Sequence, residues 1–208
     1  NYELNSVLEK VPDGKVNLKL IENNLVKVCK LFLEKNDFTD LVISLSGGPD
    51  SMVLAYILFK LCSEKGVPIK AFHLNYNNRD ESAIEEGVIS RFCNEIGLEL
   101  LVHRIKYFKR KSHDREFYER ITRTIRFNMY KLIGNNIVLG HIKEDLIENI
   151  WTNFSKGRDL FKLVKMDEIS IIDEVNILRP FLRIDKMQIY EFADAHNIPY
   201  LKNTTPSW

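Results

Sequence analysis

The stretch that decides the fold runs Leu41-Val42-Ile43-Ser44-Leu45-Ser46-Gly47-Gly48-Pro49-Asp50-Ser51 and leads into an apolar segment that reaches Phe59. The short apolar run from Leu41 to Leu45 predicts a buried strand, and the apolar residues from Ser51 to Ser63 predict a helix. The glycine pair and the proline between them predict a tight loop. The segment from Leu41 to Phe59 has nearly the length of a membrane span, but the loop divides it. A strand, a loop and a helix are therefore favoured over a membrane helix.

The rest of the chain repeats this alternation of apolar strands and helices. Further strands are predicted at Ile69 to Leu74, Leu98 to His103 and Asn136 to Leu139, with one more short strand before the last helix. Further helices are predicted at Leu18 to Lys35, Glu81 to Ile96, Phe117 to Ile133, Lys143 to Phe154 and Asp185 to Asn197. Such alternation is typical of an α/β fold in which helices cover both faces of a parallel sheet. We expect a doubly wound, mainly parallel five-stranded sheet in a domain spanning 41–208, with residues 1–40 forming a helical extension packed on it.

The composition is that of an ordinary globular protein. The 208 residues are 45% hydrophobic and carry a net charge of +1, which excludes collagen-like and disordered classes and leaves any basic surface local. The three cysteines, Cys29, Cys62 and Cys93, form no C-x-x-C pair, which argues against a disulfide framework or a zinc ribbon. No charged leader with an apolar core opens the chain, so we expect a reducing, cytoplasmic location.

The loop after the first strand has the chemistry of a phosphate site. Gly47 and Gly48 allow the backbone to approach an anion, the hydroxyls of Ser46 and Ser51 can donate hydrogen bonds, and the following helix directs its positive end at the loop. A carboxylate at Asp50 would repel a phosphate unless a cation lay between them, which predicts a Mg²⁺ ligand. The alternative is a capped Gly-Gly turn without a ligand. The loop matches neither the Walker motif nor the G-x-G-x-x-G fingerprint, so kinases and Rossmann dehydrogenases are disfavoured.

Two helices carry further candidate site residues. Asp145, Glu148 and Asn149 share one face of the helix that follows His141, where they could hold a metal ion or an ammonium group. An acid-rich first turn that only complements the helix dipole is the alternative. Arg123 and Arg126 are three apart on one helical face, which suits a bidentate grip on phosphate or carboxylate, although a solvated face with Glu119 paired to Arg123 remains open.

An RNA contact and an adenine contact are also predicted, each beside a simpler explanation. The stretch from His103 to Arg120 has seven Lys and Arg against three acids, with Tyr107, Phe108, Phe117 and Tyr118 interleaved. It could follow an RNA backbone and stack a base, or be a solvated loop. His73 and Asn75 could lie near an adenine that the backbone at Leu74 contacts, or be polar residues at a strand end.

The S-G-G-x-D-S loop resembles the pyrophosphate loop of the N-type ATP pyrophosphatases. Within that superfamily the chain resembles tRNA(Ile)-lysidine synthetases from about Leu41 to the C-terminus. The matching segments are Phe72-His73-Leu74-Asn75-Tyr76 with Asn78-Arg79, Glu119 to Phe127, Leu139-Gly140-His141 to Lys156-Gly157, and Leu178-Arg179-Pro180-Phe181-Leu182.

The resemblance implies an adenine nucleotide alpha hydrolase-like fold and an ATP- and Mg²⁺-dependent ligase. Such an enzyme adenylates C2 of the anticodon cytidine of a CAU isoleucine tRNA and joins free lysine to it, releasing AMP and pyrophosphate. The implied catalytic residues are Asp50, Asp145 and Arg126, with Mg²⁺ on Asp50 and Asp145 and lysine on Asp145 and Glu148. The implied ATP contacts are Ser46, Gly47, Gly48, Asp50, Ser51, Leu74, His141, Arg123 and Arg126.

Some residues depart from the family pattern. Glu144 and Asn149 replace the outer residues of the family's Asp-Asp-x-x-Glu-Thr, and Asn203 to Ser207 replaces its Asp-Pro-Ser-Asn-like sequence. Because the chain begins without Met and ends at Trp208, we expect a trimmed chain that lacks the family's C-terminal tRNA-binding domains.

The rival functions are tRNA 2-thiolation, a small-molecule ATP-pyrophosphatase ligase, and an RNA-binding module with a degenerate nucleotide site. The lack of a C-x-x-C pair counts against thiolation. No membrane partner is expected, while a homodimer and a partner protein are both left open.

Overall fold

The computed structural model describes residues 7–10, 14–78, 81–107, 114–155 and 166–202. Its helices are α1 (Asn24–Lys35), α2 (Pro49–Lys65), α3 (Ser82–Ile96), α4 (Arg115–Ile133), α5 (Lys143–Ser155) and α6 (Lys186–His196). Its strands are β1 (Leu8–Lys10), β2 (Leu41–Ser44), β3 (Ile69–Asn75), β4 (Leu100–Arg104), β5 (Asn136–Val138), β6 (Ile169–Ile172), β7 (Val175–Leu178) and β8 (Tyr200–Leu201). Arg79, Phe108, Lys109, Arg110, Lys111, Lys156, Gly157 and 203–207, which belong to the predicted segments, lie outside the described residues.

The central sheet has the strand order β4-β3-β2-β5-β7-β6. The first five of these strands are parallel to one another, and β6 joins the edge antiparallel to β7. The predicted fold class is confirmed, since five parallel strands form the body of the sheet. The antiparallel edge strand is an addition that the sequence pattern did not predict.

Helices cover both faces of the sheet. Alternate residues of β2 illustrate this, because Leu41 and Ile43 pack in one apolar cluster with α1, α2, α3 and α6, whereas Val42 packs in the other. The second cluster contains Phe127 and Tyr130 of α4. Helix α2 lies deepest, with both sides of its first half buried.

The N-terminal helix is shorter than the predicted Leu18 to Lys35. It begins at Asn24, because the Asn23 side chain accepts a hydrogen bond from the backbone N–H of Val26 and caps the first turn. The apolar residues that extended the predicted helix, Leu18 and Ile21, are 49% and 46% exposed. Ahead of this helix, β1 pairs with β8 in a separate two-stranded sheet.

None of the helices in the described part of the chain combines the length and the apolarity that a membrane span requires.

Candidate active site

The glycine loop lies between β2 and α2, at the carboxyl ends of the parallel strands, where ligands of such sheets bind. Gly47 adopts a φ of +88°, Gly48 is the N-cap of α2, and Pro49 occupies its first turn. Serine side chains brace the loop. The Ser51 hydroxyl donates to the carbonyl of Gly48 at 3.0 Å and lies 3.0 Å from the hydroxyl of Ser46. Hydrogen bonds within the loop therefore hold its shape, with the N-terminus of α2 behind it.

Two glycines are required by close packing around this loop. A Cβ at Gly47 would lie 2.3 Å from Cδ1 of Leu201, besides the unfavourable φ. A Cβ at Gly140 would lie 2.9 Å from the backbone nitrogen of Ser51 and 3.0 Å from its Cα. The loop after β5 thus touches the first turn of α2 directly.

A cavity of about 470 Å³ opens beside the glycine loop. Eight of the predicted site residues line it: Ser46, Asp50, Ser51, Arg123, Arg126, His141, Asp145 and Asn149. They come from the glycine loop, from α4 and from the start of α5, so three separate parts of the sequence converge on one volume. The predicted residues Gly47 and Gly48 lie in the adjoining loop, while Leu74 and Glu148 are not among the lining residues.

Asp50 lies in the wall of this cavity with an unsatisfied oxygen. Its Oδ1 is buried and has no hydrogen-bond partner among the described residues. Burial raises the pKa of Asp50 to about 6; Lys186 opposes that shift and Asp145 adds to it. A buried carboxylate without a donor is costly unless a cation or a proton accompanies it, so this atom suits a metal ligand.

The donor set fits Mg²⁺ better than a metal held by protein alone. No group of three or more His, Cys, Asp or Glu side chains in the described ranges could hold an ion. Mg²⁺ commonly uses one or two carboxylates together with phosphate oxygens and waters. Asp50 and Asp145 supply that number of carboxylates in a cavity that is wide enough for phosphates.

Asp145 is oriented by its own helix. Its Oδ2 accepts a hydrogen bond of 2.8 Å from the backbone N–H of Ile142, just ahead of α5. This bond satisfies one of the unpaired amides at the helix N-terminus and fixes the carboxylate towards the cavity. Asn149, one turn later, also lines the cavity.

Helix α4 gives the cavity a basic and aromatic lining. Arg123 lies with its guanidinium 4.5 Å from the ring centroid of Phe127 and 3.8 Å from Oδ2 of Asp173. The hydroxyl of Tyr130 lies 2.7 Å from that of Ser44, which joins α4 to the end of β2. Arg126 also lines the cavity, so α4 contributes positive charge and aromatic rings to the site that the glycine loop borders.

Some lining residues were not predicted as site residues from the sequence. They are Ser44, Phe127, Tyr130, Leu139, Gly140, Met166, Ile172, Ile177 and Arg179. The most informative is Arg179, which follows β7, is 4% exposed, and donates from Nε to Nδ1 of His141 at 3.2 Å. The only sequence signal for Arg179 was its place in the Leu178 to Leu182 segment of the resemblance.

The residues predicted near an adenine form a buried polar network. Nδ1 of His73 lies 2.8 Å from the carbonyl of Leu45, at the start of the glycine loop. The amide of Asn75 donates to Glu86 at 2.7 Å and to the carbonyl of Ser82 at 3.2 Å. These contacts hold the ends of β2 and β3, so both side chains have structural partners.

The basic stretch from His103 to Arg120 is described in part. Tyr107 is 96% exposed, and Arg115 and Arg120 lie on the first turns of α4, Arg120 with its guanidinium 5.4 Å from the Phe117 ring. Such an exposed basic and aromatic face is compatible with an RNA contact.

Comparison with known proteins agrees with this geometry. The family described as PP-loop domain matches residues 21–207. The tRNA(Ile)-lysidine synthase of Clostridioides difficile is 29% identical over 172 residues, which cover 80% of this chain and 36% of that protein. The corresponding enzyme of Pseudothermotoga lettingae is 30% identical over 169 residues, 79% of this chain and 37% of that protein. The chain thus spans about a third of the length of these curated relatives, and the predicted resemblance is confirmed.

Solved structures share the fold at lower identity. The U34-tRNA thiolase NcsA from Methanococcus maripaludis, solved with its [4Fe-4S] cluster, has a TM-score of 0.68 and 20% identity, covering 88% of this chain and 68% of that one. The NH3-dependent NAD synthetase from Campylobacter jejuni has a TM-score of 0.53 and 15% identity, covering 84% and 72%. A glycine loop between the first parallel strand and a buried helix, the residues around it and the family match lead to one conclusion: the chain belongs to the PP-loop domain family.

Proposed function

We propose that this chain is the ATP-using domain of a ligase that modifies isoleucine tRNA by joining lysine to C2 of the anticodon cytidine. The observation that carries the proposal is the convergence of the glycine loop, the Asp50 and Asp145 carboxylates and the two arginines of α4 on one cavity. The relatives named tRNA(Ile)-lysidine synthase support the choice of substrates.

The first step would use the two charged walls of the cavity. The cytidine C2 oxygen attacks the α-phosphorus of ATP, and pyrophosphate leaves. Loop amides, the Ser46 and Ser51 hydroxyls and Arg126 hold the phosphates and stabilise the negative charge that develops on them. Asp50 and Asp145 would hold Mg²⁺, which supplies further charge neutralisation when it is bound.

The second step would use α5. The lysine ε-amine attacks C2 of the adenylated base, AMP leaves, and the amine loses its proton. Asp145, and Glu148 almost one turn further along α5, would position the ammonium groups of free lysine. Because Glu148 does not line the present cavity, its contact would lie at the outer edge of the site.

Thiolation of tRNA is the main rival, since the thiolase NcsA shares the fold. Within this chain the three cysteines are buried in α1, α2 and α3, and none lines the cavity. Burial raises the pKa of each thiol. These thiols are therefore poor nucleophiles and poor cluster ligands, which favours an amine as the second substrate.

The test measures pyrophosphate release from ATP with Mg²⁺ and a transcribed CAU isoleucine tRNA, with and without labelled lysine. We expect tRNA-dependent release and label retained on the tRNA, and we expect Asp50→Asn to reduce both at least about 100-fold, as for lost electrostatic stabilisation at a reacting phosphate. Asp37→Asn, at an exposed position outside the cavity, is the matched control and should retain activity. Release without lysine uptake would indicate another nucleophile, and absence of release and of ATP binding would favour an RNA-binding module.

A further inference from the structure

Arg179 is held at a fixed place by the β6–β7 hairpin. Its Nη1 donates to the carbonyl of Asp167 and to the hydroxyl of Ser170, both at 2.8 Å. Its backbone N–H donates to the carbonyl of Glu168, also at 2.8 Å. The backbone bond fixes the start of the side chain, and the two bonds of Nη1 fix the buried guanidinium. The other guanidinium nitrogens therefore point in defined directions.

The Nε of Arg179 is directed at His141. The donor-acceptor distance from Nε to Nδ1 of His141 is 3.2 Å. A guanidinium has only donors, so Nδ1 must accept with its lone pair. His141 is therefore a neutral imidazole whose proton is on Nε2. Burial lowers the pKa of His141, with Asp145 opposing the shift, which agrees with a neutral ring.

His141 lines the cavity together with Asp50, Asp145 and Arg126. With Nδ1 occupied by Arg179, the polar group that His141 can offer a ligand is the Nε2–H donor. A donor at this place suits a phosphate or ribose oxygen. Among the described residues Arg179 has no ion pair with a carboxylate, so its charge adds to the positive potential that an anion meets here.

We propose that Arg179 is a positioning residue that holds His141 in the Nε2–H tautomer, so that His141 donates a hydrogen bond to an oxygen of the bound nucleotide. The tautomer follows from the geometry alone, whereas the nucleotide contact rests on the proposed function. Arg179 acts here through His141.

The tautomer can be measured by long-range ¹⁵N–¹H NMR correlation on the full chain, with His141→Gln assigning the signals. We expect a lone-pair nitrogen at Nδ1 and a protonated nitrogen at Nε2 for His141. In the same spectrum His73 and His196 serve as internal references for the opposite tautomer. Nδ1 of His73 and of His196 lie 2.8 and 3.0 Å from carbonyl oxygens, which can only accept, so both rings are protonated on Nδ1.

Arg179→Met should remove the hydrogen bond that selects the Nε2–H tautomer and leave His141 as a mixture of tautomers. Arg179→Lys keeps a cationic donor and should restore part of the preference for the Nε2–H tautomer. Unchanged His73 and His196 signals show that the variant is folded. Arg183→Met, at an exposed arginine four residues further on, is the matched control and should leave His141 as it is. A wild-type His141 protonated on Nδ1, or an unchanged tautomer in folded Arg179→Met, would overturn the proposal.

The nucleotide contact is tested by titrating fluorescent ATP into variants of both residues. Removal of a charge-assisted hydrogen bond predicts about a tenfold weaker Kd for Arg179→Met and for His141→Leu, whose side chain has no donor, with no further weakening when the two are combined. Unchanged affinity in both would overturn the contact. If tautomer and affinity respond as expected but no lysine is joined to tRNA, the positioning role stands and the proposed ligase activity fails, so the two failures are distinguishable.

Discussion

Asp50 occupies a position in which the charged form of its carboxylate is unfavourable. An acidic side chain in the first turn of a helix is favoured by the helix dipole, yet here it is half-buried, with its Oδ1 atom fully buried, and shares a cavity with a second carboxylate, Asp145. The resulting pKa of about 6 is well above the ordinary value of 3.8. Such a strained carboxylate is typical of a functional site, and a cation together with a phosphate would relieve it.

Gly140 makes the closest contact to the loop and gives a sharp prediction at this scale. In Gly140→Ala the new Cβ would press on the backbone of Ser51, at 2.9 Å from N and 3.0 Å from Cα, and a backbone cannot turn aside as a flexible side chain does. We expect the first turn of α2 to shift, the stability to fall by about 1–3 kcal/mol, and ATP affinity to fall with it. Denaturant unfolding and ATP titration measure the two effects.

Gly87→Ala is the matched control for this change. Gly87 lies in α3, and a Cβ there would meet nothing within 4 Å. Because alanine is the better helix former, this variant should gain about 0.5–1 kcal/mol and bind ATP as the wild type does. Equal ATP affinities in the two variants would show that the loop tolerates displacement.

At the scale of elements, what the sequence predicts well is local. The apolar run of β2, the Gly-Gly-Pro loop and the buried α2 follow from composition and periodicity, and the parallel sheet follows from their repetition. What it does not predict is contact between distant elements. Tyr130 bonds to Ser44 across 86 positions, and Arg179 reaches His141 across 38. No spacing rule connects such pairs, so Tyr130, Ser44 and Arg179 were missed while the glycine loop, the arginines of α4 and Asp145 were predicted.

The missed hairpin and the overlong helix have local physical causes. β6 and β7 are joined by Asp173 and Glu174, both at positive φ, a conformation that sequence usually signals with Asn or Gly. Ion pairs from α4, including Lys131 to Glu174 at 2.8 Å, accompany this turn. Helix α1 starts after the cap at Asn23, although the helical spacing of apolar residues continues on the N-terminal side of that cap. At the β6–β7 turn tertiary contacts, and at the start of α1 a helix cap, determined the secondary structure instead of the spacing of apolar residues.

The network of Glu86 joins three elements and predicts a pH dependence of stability. Glu86 of α3 is 8% exposed, accepts from Arg104 at the end of β4, and accepts from Asn75 at the end of β3. The bond from Arg104 lowers the pKa of Glu86 below its ordinary 4.5. The stabilisation is therefore fully present above pH 4.5 and is lost as the pH falls through the lowered pKa.

Glu86→Gln should accordingly lose about 1–3 kcal/mol of unfolding free energy near pH 7 and less near pH 3. Its stability curve should be flatter than that of the wild type on the acid side. Glu99→Gln, at an exposed glutamate before β4, should keep the wild-type curve. Denaturant unfolding from pH 3 to 7 measures all three proteins, and parallel curves for Glu86→Gln and the wild type would contradict the assigned ion pair.

At the scale of the whole molecule, the C-terminal end of the described chain supports the glycine loop, and the N-terminal end pairs with the C-terminal end. The backbone N–H of Leu201 in β8 donates to the carbonyl of Gly47 at 2.9 Å, and the Leu201 side chain occupies the space beside Gly47. β1 pairs with β8 from the other side. The loop is thus supported by residues far away from it in the sequence.

The net charge of the whole molecule restricts where RNA could bind. With a net charge of +1, attraction to RNA has to come from a local face. Helix α4 begins with the exposed residues Arg115 and Arg120, ahead of the two arginines that line the cavity. If the anticodon base of a tRNA entered the cavity, the neighbouring phosphates of the tRNA would lie along this helix.

The salt dependence of tRNA binding tests this placement. Removing one phosphate contact should reduce the slope of log K against log salt by about 0.7–0.9, so we expect the slope to fall by about 1.5 in the Arg115→Ala and Arg120→Ala double variant. The control is Lys27→Ala with Lys65→Ala, two exposed lysines on helices of the opposite face, which removes the same charge. Filter binding or fluorescence anisotropy at several salt concentrations measures both slopes. Equal slopes for the two double variants would mean that the RNA responds to net charge alone, because only a contact at α4 separates them.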